Sequence, residues 1–179
     1  DGWTCCGASH VQDIAPEITL ATNARNIALA EEKGLNLLTV CNTCTLMLRE
    51  AKNELDNNEK EKNEVNKKLA QIGKQYRGTT DITHFLWVLI RDYGLDKLKA
   101  KVVKPLTGLR VAEYYGCHIL RPQTELGFED YQMPTSLADL ISAIGATPID
   151  FSRKLDCCGF HAVYPAHDSV MQMTGSINK

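Results

Sequence analysis

The sequence has no apolar run long enough to cross a membrane, because its longest, around Phe85–Ile90, is far short of the roughly 20 residues that span a bilayer. It also has no excess of positive charge: 20 Lys and Arg against 22 Asp and Glu give a formal net charge of -2, which argues against nucleic acid as a partner. The chain starts without Met or a signal-peptide pattern, so we expect an internal piece of a longer protein. What remains is 179 residues, 44% of them hydrophobic, which predicts one soluble globular domain or two small ones.

Cysteine is the informative residue type. The chain has seven cysteines, an odd number that cannot pair completely into disulfides within it. They form two adjacent pairs, one C-x-x-C and one isolated position: Cys5 and Cys6, Cys157 and Cys158, Cys41 and Cys44, and Cys117. Neighbouring side chains point away from each other, so an adjacent pair rarely bridges to itself. The pattern indicates ligands for a soft metal.

Hydrophobic spacing predicts alternating helices and short strands. An α/β fold with a mainly parallel sheet follows, in which sites lie beyond the carboxyl ends of the strands. The cysteines fit this expectation, because Cys41 and Cys117 each come just after a predicted strand. The predicted helices are 16–33, 45–72, 81–93, 96–103, one opening at a capping box at 135–139 and ending at 145, and one from 167; the predicted strands are 35–40, 109–115 and 147–151.

A weak internal repeat divides the chain. Cys-Cys-Gly with a nearby histidine occurs at 5–7 and again at 157–159. We therefore predict two related half-units, residues 1–105 and residues 106–179.

The chemistry of the cysteines leaves three alternatives open at this point. Several thiolates from different loops can hold an iron–sulfur cluster or a zinc ion. A C-x-x-C such as Cys41 and Cys44 also serves dithiol redox chemistry, or is simply buried. The adjacent pairs favour metal.

Four strings of residues carry a resemblance to a known family: Trp3-Thr4-Cys5-Cys6-Gly7-Ala8, Cys41-Asn42-Thr43-Cys44, Tyr115-Gly116-Cys117-His118 with Arg121-Pro122, and Cys157-Cys158-Gly159. They resemble the cysteine-rich CCG domain family, which includes the B-type subunits of heterodisulfide reductase and the E-type subunits of non-classical succinate or methylmenaquinol:fumarate reductases. The resemblance covers almost the whole chain. It implies two Rossmann-like CCG half-units with parallel sheets, both truncated here.

On that pattern, all seven cysteines are implied ligands of iron–sulfur clusters, including a non-cubane 4Fe–4S type. Cys5, Cys6, Cys41 and Cys44 match the first domain, whose opening cysteine would precede the chain. Cys117, Cys157 and Cys158 match the second, whose closing C-x-x-C would follow it. Zinc at one of the domains is the alternative cofactor.

The resemblance also implies a role and partners. The chain is expected to be an electron-transfer subunit of a multi-subunit reductase, passing electrons between a partner iron–sulfur protein and a disulfide or a quinone. His118 and His161 are the candidate catalytic residues, as proton donors or hydrogen-bond donors to a cluster sulfur; a role in orienting the loop is the alternative. Phe160-His161 is similar to the E-type branch of the fumarate and succinate reductases. We expect a cytoplasmic location, at the inner face of the membrane only through partners.

Overall fold

The structure is a computed structural model that describes residues 2–8 and 10–178. It divides into two units, residues 1–84 and residues 85–179. Each contains one pair of parallel strands, so the predicted α/β class with parallel strands is confirmed. The predicted domain boundary at 105/106 stays a prediction.

The first unit packs helices beside its strand pair. In chain order its elements are α1 (His10–Ile14), α2 (Pro16–Glu31), β1 (Leu37–Thr39), α3 (Asn42–Asn57), α4 (Glu59–Ala70) and β2 (Ile82–His84). Pro16 suits the first turn of α2, where its missing N–H has no partner to lose. Leu37 is paired with Ile82 and Thr39 with His84 in the strands. The core contains Leu20, Ala24, Ile27, Leu48, Ala51, Leu55, Val65, Leu69, Tyr76 and Ile82.

The predicted helix at 45–72 is wrong as a single element. It begins earlier, at Asn42, and breaks at Asn58, where the backbone leaves the helical region with φ -129° and ψ 89°. The Asn58 side chain accepts a hydrogen bond from the Glu61 backbone N–H at 3.1 Å. Asn58 therefore ends α3 and caps α4, a use of asparagine that apolar spacing does not reveal.

The predicted helix at 81–93 is wrong in its first residues. Ile82–His84 form β2, and helical structure starts only at Phe85. Pairing with β1 gives these backbone groups partners and buries Ile82 and His84, which outweighs the local helical spacing. Burial of His84 also lowers the pKa of its imidazole.

The second unit is built on smaller elements. They are α5 (Phe85–Trp87), which continues as a π-helix over Val88–Gly94, then α6 (Leu95–Lys101), β3 (Arg110–Ala112), α7 (Gln123–Leu126), α8 (Ser136–Ala143), β4 (Thr147–Ile149), a 3₁₀ turn at Phe160–Ala162 and α9 (His167–Ile177). β3 and β4 are parallel, with Val111 opposite Pro148. Trp87 is buried and stacks on Phe128, their ring centroids 5.3 Å apart.

The start of α8 is capped differently from the prediction. The Thr135 side chain makes no cap hydrogen bond to the backbone, and its hydroxyl contacts Asp139 instead. The Glu129 carboxylate accepts from the backbone N–H groups of Thr135 and Ser136 at 2.9 and 3.0 Å. A residue outside the capping-box spacing thus satisfies the free donors of the helix.

Within the described residues, no helix has the length and apolar character that crossing a membrane requires.

Glu31 fixes the end of α2 to the loop before β2. Its buried carboxylate accepts from the backbone N–H groups of Arg77 and Thr79 at 2.8 and 2.7 Å. We expect Glu31→Ala to lower the free energy of unfolding by about 2–3 kcal/mol, because two hydrogen bonds from backbone N–H groups to a buried carboxylate are lost. Urea unfolding followed by circular dichroism measures this.

Glu32→Ala is the matched control. Glu32 is the next residue, and its carboxylate pairs with Lys74 at the surface, 2.6 Å away. Such pairs contribute little, so an equal loss in the two variants would contradict the role assigned to Glu31.

Candidate metal centre

Three thiols of the first unit meet where β1 ends. The Sγ atoms of Cys6 and Cys44 are 3.5 Å apart, and Cys44 also makes a side-chain hydrogen bond with Cys41. Cys41 stands at the N-cap of α3 in an extended conformation, and Cys44 lies in the first turn of that helix. Cys6 comes from the irregular loop before α1 and is buried. The structure therefore brings together thiols from both of the predicted motifs.

Cys5 occupies a different position from its neighbour. It is exposed, whereas Cys6 is buried. All seven cysteines are free thiols in the structure.

The environment of Cys44 disfavours a free thiolate. Burial raises the pKa of its thiol well above the ordinary value, and hydrogen bonds and charge from Cys6 and then Cys41 raise it further. A cation that replaced the proton would remove the repulsion between these sulfurs, which is why metal binding at thiols releases protons.

Two buried threonines support the Cys41 turn and were missed in the sequence. The Thr45 hydroxyl donates to the Cys41 carbonyl at 3.1 Å, and the hydroxyls of Thr39 and Thr45 contact each other. They join the last residue of β1 to the first turn of α3. The signal in the sequence was a threonine on each side of the C-x-x-C, Thr39 and Thr45. Threonine is common in such positions, so this signal did not distinguish them.

Two asparagines of α2 were also missed. Asn23 and Asn26 are fully buried, and their side chains bond to the backbone of Cys6 and Thr4. Asparagine on the apolar face of a helix was the signal, because a buried carboxamide needs partners.

The second unit gathers its three thiols in a similar way. Cys117 makes a side-chain hydrogen bond with Cys157, and burial followed by the charges of Cys157 and Cys158 raises the pKa of the Cys117 thiol. The Cys157 sulfur accepts from the Gly159 backbone N–H at 3.3 Å.

The two candidate catalytic histidines lie together in this unit. The rings of His118 and His161 meet edge to face with centroids 4.5 Å apart, and Phe160 contacts His161. Burial, and secondarily His161, lowers the pKa of His118. Nε2 of His161 is buried without a hydrogen-bond partner among the described residues.

Tyr114 was not singled out from the sequence, although it lies beside these thiols. Burial and then the charges of Cys158, Cys157 and Cys117 raise the pKa of its phenol to about 12. Its hydroxyl donates to the Asp156 carbonyl at 2.7 Å. Arg121 similarly donates to the Leu155 carbonyl at 2.8 Å, so both side chains hold the loop that leads to Cys157.

The chemistry of the donors fits a thiolate-bound metal, although the geometry is only partly formed. Among the described residues no three His, Cys, Asp or Glu side chains are placed to hold a single ion. The 3.5 Å between the sulfurs of Cys6 and Cys44 is nevertheless close to the edge of about 3.8 Å that a tetrahedral site with 2.3 Å zinc–sulfur bonds requires. The assignment of all seven cysteines as ligands stays a prediction.

Two α/β units, each with three thiols collected from separate segments, define a cysteine-rich domain protein with two thiol centres. A model of the CCG cysteine-rich domain matches residues 1–49 and 111–178. The chain belongs to this family, as its motifs predicted.

Curated relatives agree with that assignment. The chain is 50% identical over 177 residues to the 8-methylmenaquinol:fumarate reductase membrane anchor subunit of Wolinella succinogenes, covering 99% of this chain and 61% of the relative. It is 38% identical over 159 residues to the B-type subunit of a ferredoxin/F420H2-dependent CoB-CoM heterodisulfide reductase of Methanosarcina acetivorans, covering 88% of this chain and 53% of the relative. It thus spans little more than half the length of these relatives.

One solved structure is also similar, a hypothetical protein from Helicobacter pylori. It has a TM-score of 0.67 and 19% identity, and the match covers 90% of this chain and 28% of that one. At this identity the likeness supports the fold alone.

A buried ion pair lies close to the second thiol group. Lys154 donates to the Glu113 carboxylate at 2.6 Å, and Glu113 is 4% exposed. The Lys154 carbonyl accepts from the Tyr115 N–H at 2.9 Å, so the pair joins the segment before Cys117 to the segment before Cys157.

We expect Lys154→Met to lower the free energy of unfolding by about 2 kcal/mol, because Glu113 is left buried without its counter-charge. The loss is below that of a fully buried pair, since the Lys154 side chain is 23% exposed. The double variant Glu113→Gln with Lys154→Met should recover most of it. Arg153→Met, which removes an exposed pair with Asp156, is the control; a loss as large as that of Lys154→Met would count against the explanation.

Proposed function

We propose that the chain is the cluster-binding part of an electron-transfer subunit in a multi-subunit reductase. The observation that carries this proposal is the approach of thiols from segments far apart in the sequence, Cys6 to Cys44 in one unit and Cys117 to Cys157 in the other. Thiolates delivered in this way are the ligands of iron–sulfur clusters. The names of the relatives, a fumarate reductase subunit and a heterodisulfide reductase subunit, support an oxidoreductase.

Of the two branches, we favour the fumarate reductase type, with a quinone as the second redox partner. Identity is 50% to the fumarate reductase subunit and 38% to the heterodisulfide reductase subunit. Phe160 is 54% exposed beside His161, close to the second thiol group. A bulky ring in this place would narrow the approach of a disulfide substrate. The disulfide remains the other candidate substrate.

A bound cluster would supply one-electron storage; the chain's own residues hold it and control its surroundings. The thiols would bind it, with Cys5, Cys6, Cys41 and Cys44 in one unit and Cys117, Cys157 and Cys158 in the other. We propose that the imidazoles of His118 and His161 donate hydrogen bonds to sulfur or hold a proton near the site. Reduction of a quinone or a disulfide consumes protons as well as electrons, so donors at this position suit the reaction.

The partners are other subunits, among them an iron–sulfur protein that supplies or accepts the electrons. The relative from Wolinella succinogenes is named a membrane anchor subunit. We propose that this chain reaches a membrane through such partners.

A structural zinc site in the first unit is the second candidate, favoured by the 3.5 Å between the sulfurs of Cys6 and Cys44. A cluster-free dithiol oxidoreductase on Cys41 and Cys44 has less support. Its thiolate would be disfavoured at Cys44, because burial raises the pKa of that thiol.

Anaerobic purification with iron, sulfide and zinc analysis and EPR tests the cluster. We expect iron and sulfide, and an EPR signal in each unit after reduction or oxidation. Cys44→Ser should abolish the signal of the first unit and retain that of the second, and Cys157→Ser the reverse. Each variant thus controls for the other. A diamagnetic, iron-free protein with stoichiometric zinc would show the proposal to be wrong and the zinc site to be right.

The histidine pair is tested by redox titration. His161→Leu removes a hydrogen-bond donor beside the second thiol group, and we expect the midpoint potential of that cluster to fall by about 40 mV, since one hydrogen bond of about 1 kcal/mol stabilises the reduced, more negative form. His118→Leu should act in the same direction. His167→Leu, on the exposed start of α9, is the control. Unchanged potentials in His118→Leu and His161→Leu would leave the pair a structural role only.

A further inference from the structure

The loop that carries Cys5 and Cys6 has no regular structure to hold it. Residues 2–7 lie in neither a helix nor a strand. Yet the Cys6 sulfur is buried and only 3.5 Å from that of Cys44. Some other interaction must place it there.

Asn26 provides one such interaction. Its Oδ1 accepts from the Thr4 backbone N–H at 3.2 Å, and its Nδ2 donates to the Thr4 carbonyl at 2.9 Å. The carboxamide thus satisfies both backbone groups of one residue, as a neighbouring strand would.

Asn23, one helical turn earlier on α2, holds the cysteine itself. Its Nδ2 donates to the Cys6 carbonyl at 2.9 Å and to the Thr19 carbonyl at 3.0 Å. Asn23 and Asn26 are each 0% exposed. A buried carboxamide bonded to a loop fixes the loop, because moving it would leave polar groups without partners.

The second unit repeats this arrangement. A side chain added at Gly7 would meet Thr19 of α2, and one added at Gly159 would meet Val170 of α9. Four residues after each contact, a polar side chain donates to the second cysteine's carbonyl: Asn23 to Cys6, and the Thr174 hydroxyl to Cys158 at 3.3 Å. A helix later in the chain, α2 in the first unit and α9 in the second, therefore packs against the Cys-Cys-Gly turn and bonds to it.

We propose that Asn23 and Asn26, with Thr174 as the equivalent of Asn23 in the second unit, are positioning residues that set the place of the paired cysteines relative to the other thiols. Their value for a cluster rests on the proposed function. The placement of sulfur is a property of the chain alone and is measured without any metal.

Competition between two disulfides measures that placement. Diamide takes two electrons and two protons from two thiols of the metal-free, reduced chain, and Cys44 has two neighbours to pair with, Cys6 and Cys41. Pairing with Cys41 depends on α3 and serves as an internal standard. Peptide mapping without reductant gives the ratio of Cys6–Cys44 to Cys41–Cys44 disulfide.

We expect Asn23→Leu and Asn26→Leu, which keep the side-chain size, to lower this ratio about ten-fold or more. Asn26→Leu loses two hydrogen bonds to the loop, and Asn23→Leu leaves the buried Cys6 carbonyl without its donor. Thr174→Val should have a smaller effect on disulfide formation by Cys158. It removes only one hydrogen bond, and that bond is longer than those of Asn23 and Asn26. If a leucine variant fails to unfold cooperatively, the disulfide ratio is measured instead in Asn23→Ser and Asn26→Ser, which keep a polar side chain.

Asn66→Leu is the matched control. Asn66 bonds to the backbone of Tyr76 as Asn26 bonds to that of Thr4. Its Oδ1 accepts from the Tyr76 N–H at 2.8 Å and its Nδ2 donates to the Tyr76 carbonyl at 3.0 Å, away from the cysteines. It should destabilise the unit without changing the ratio. An unchanged ratio in both Asn23 and Asn26 variants, or an equal fall in Asn66→Leu, overturns the proposal. A wild-type chain that binds no iron would refute the proposed function and leave this result intact.

Discussion

The rest of this structure depends on one constraint, which is that cysteine sulfurs from separate segments are held a few ångströms apart. Cysteine sulfurs do not attract one another enough to gather alone, and as thiolates they repel. Burial, and then the neighbouring sulfurs, raises the pKa values of the Cys44 and Cys117 thiols. The chain must therefore bring the sulfurs together by hydrogen bonds and packing elsewhere. Parallel strands supply the first part of the answer, since their carboxyl ends meet at one edge of a sheet.

The loops beyond the strands need a second layer of support, and the two units supply it with different chemistry. In the first unit the support is mostly neutral: Asn23, Asn26, Thr39 and Thr45 bond to loop backbone or to one another, while the Arg25 guanidinium donates to the Gly2 carbonyl. In the second unit it is partly charged. Lys154 and Glu113 form a buried pair, and Arg121 donates to the loop before Cys157. A charged side chain costs more to bury than a neutral one. This is consistent with the exposure of the Lys154 side chain, 23%, against 0% for Asn23 and Asn26.

Much of this fold could be predicted from apolar spacing, because long amphipathic helices such as α3 depend on it directly. The errors arose where one residue's polar group decides the structure. Asn58 splits the long polar helix, and Glu129 caps α8 from outside the expected spacing. β2 was assigned to a helix because three residues carry too little periodicity to reveal a strand whose partner lies more than forty residues earlier.

The cysteine positions could be recognised because their pattern is unusual, whereas the residues that hold them could not. Asparagine and threonine occur everywhere, and nothing in the sequence tells which of them will face a loop. The glycine of the repeated Cys-Cys-Gly motif also has a conformational reason. Gly7 and Gly159 both adopt a positive φ, 76° and 79°, a conformation that glycine takes without strain. Each turn then passes close to a helix, α2 or α9, where a side chain such as Asn23 or Thr174 can reach the cysteine carbonyl. The glycine is part of the motif because this close approach requires it, and the polar side chain on the helix is its counterpart.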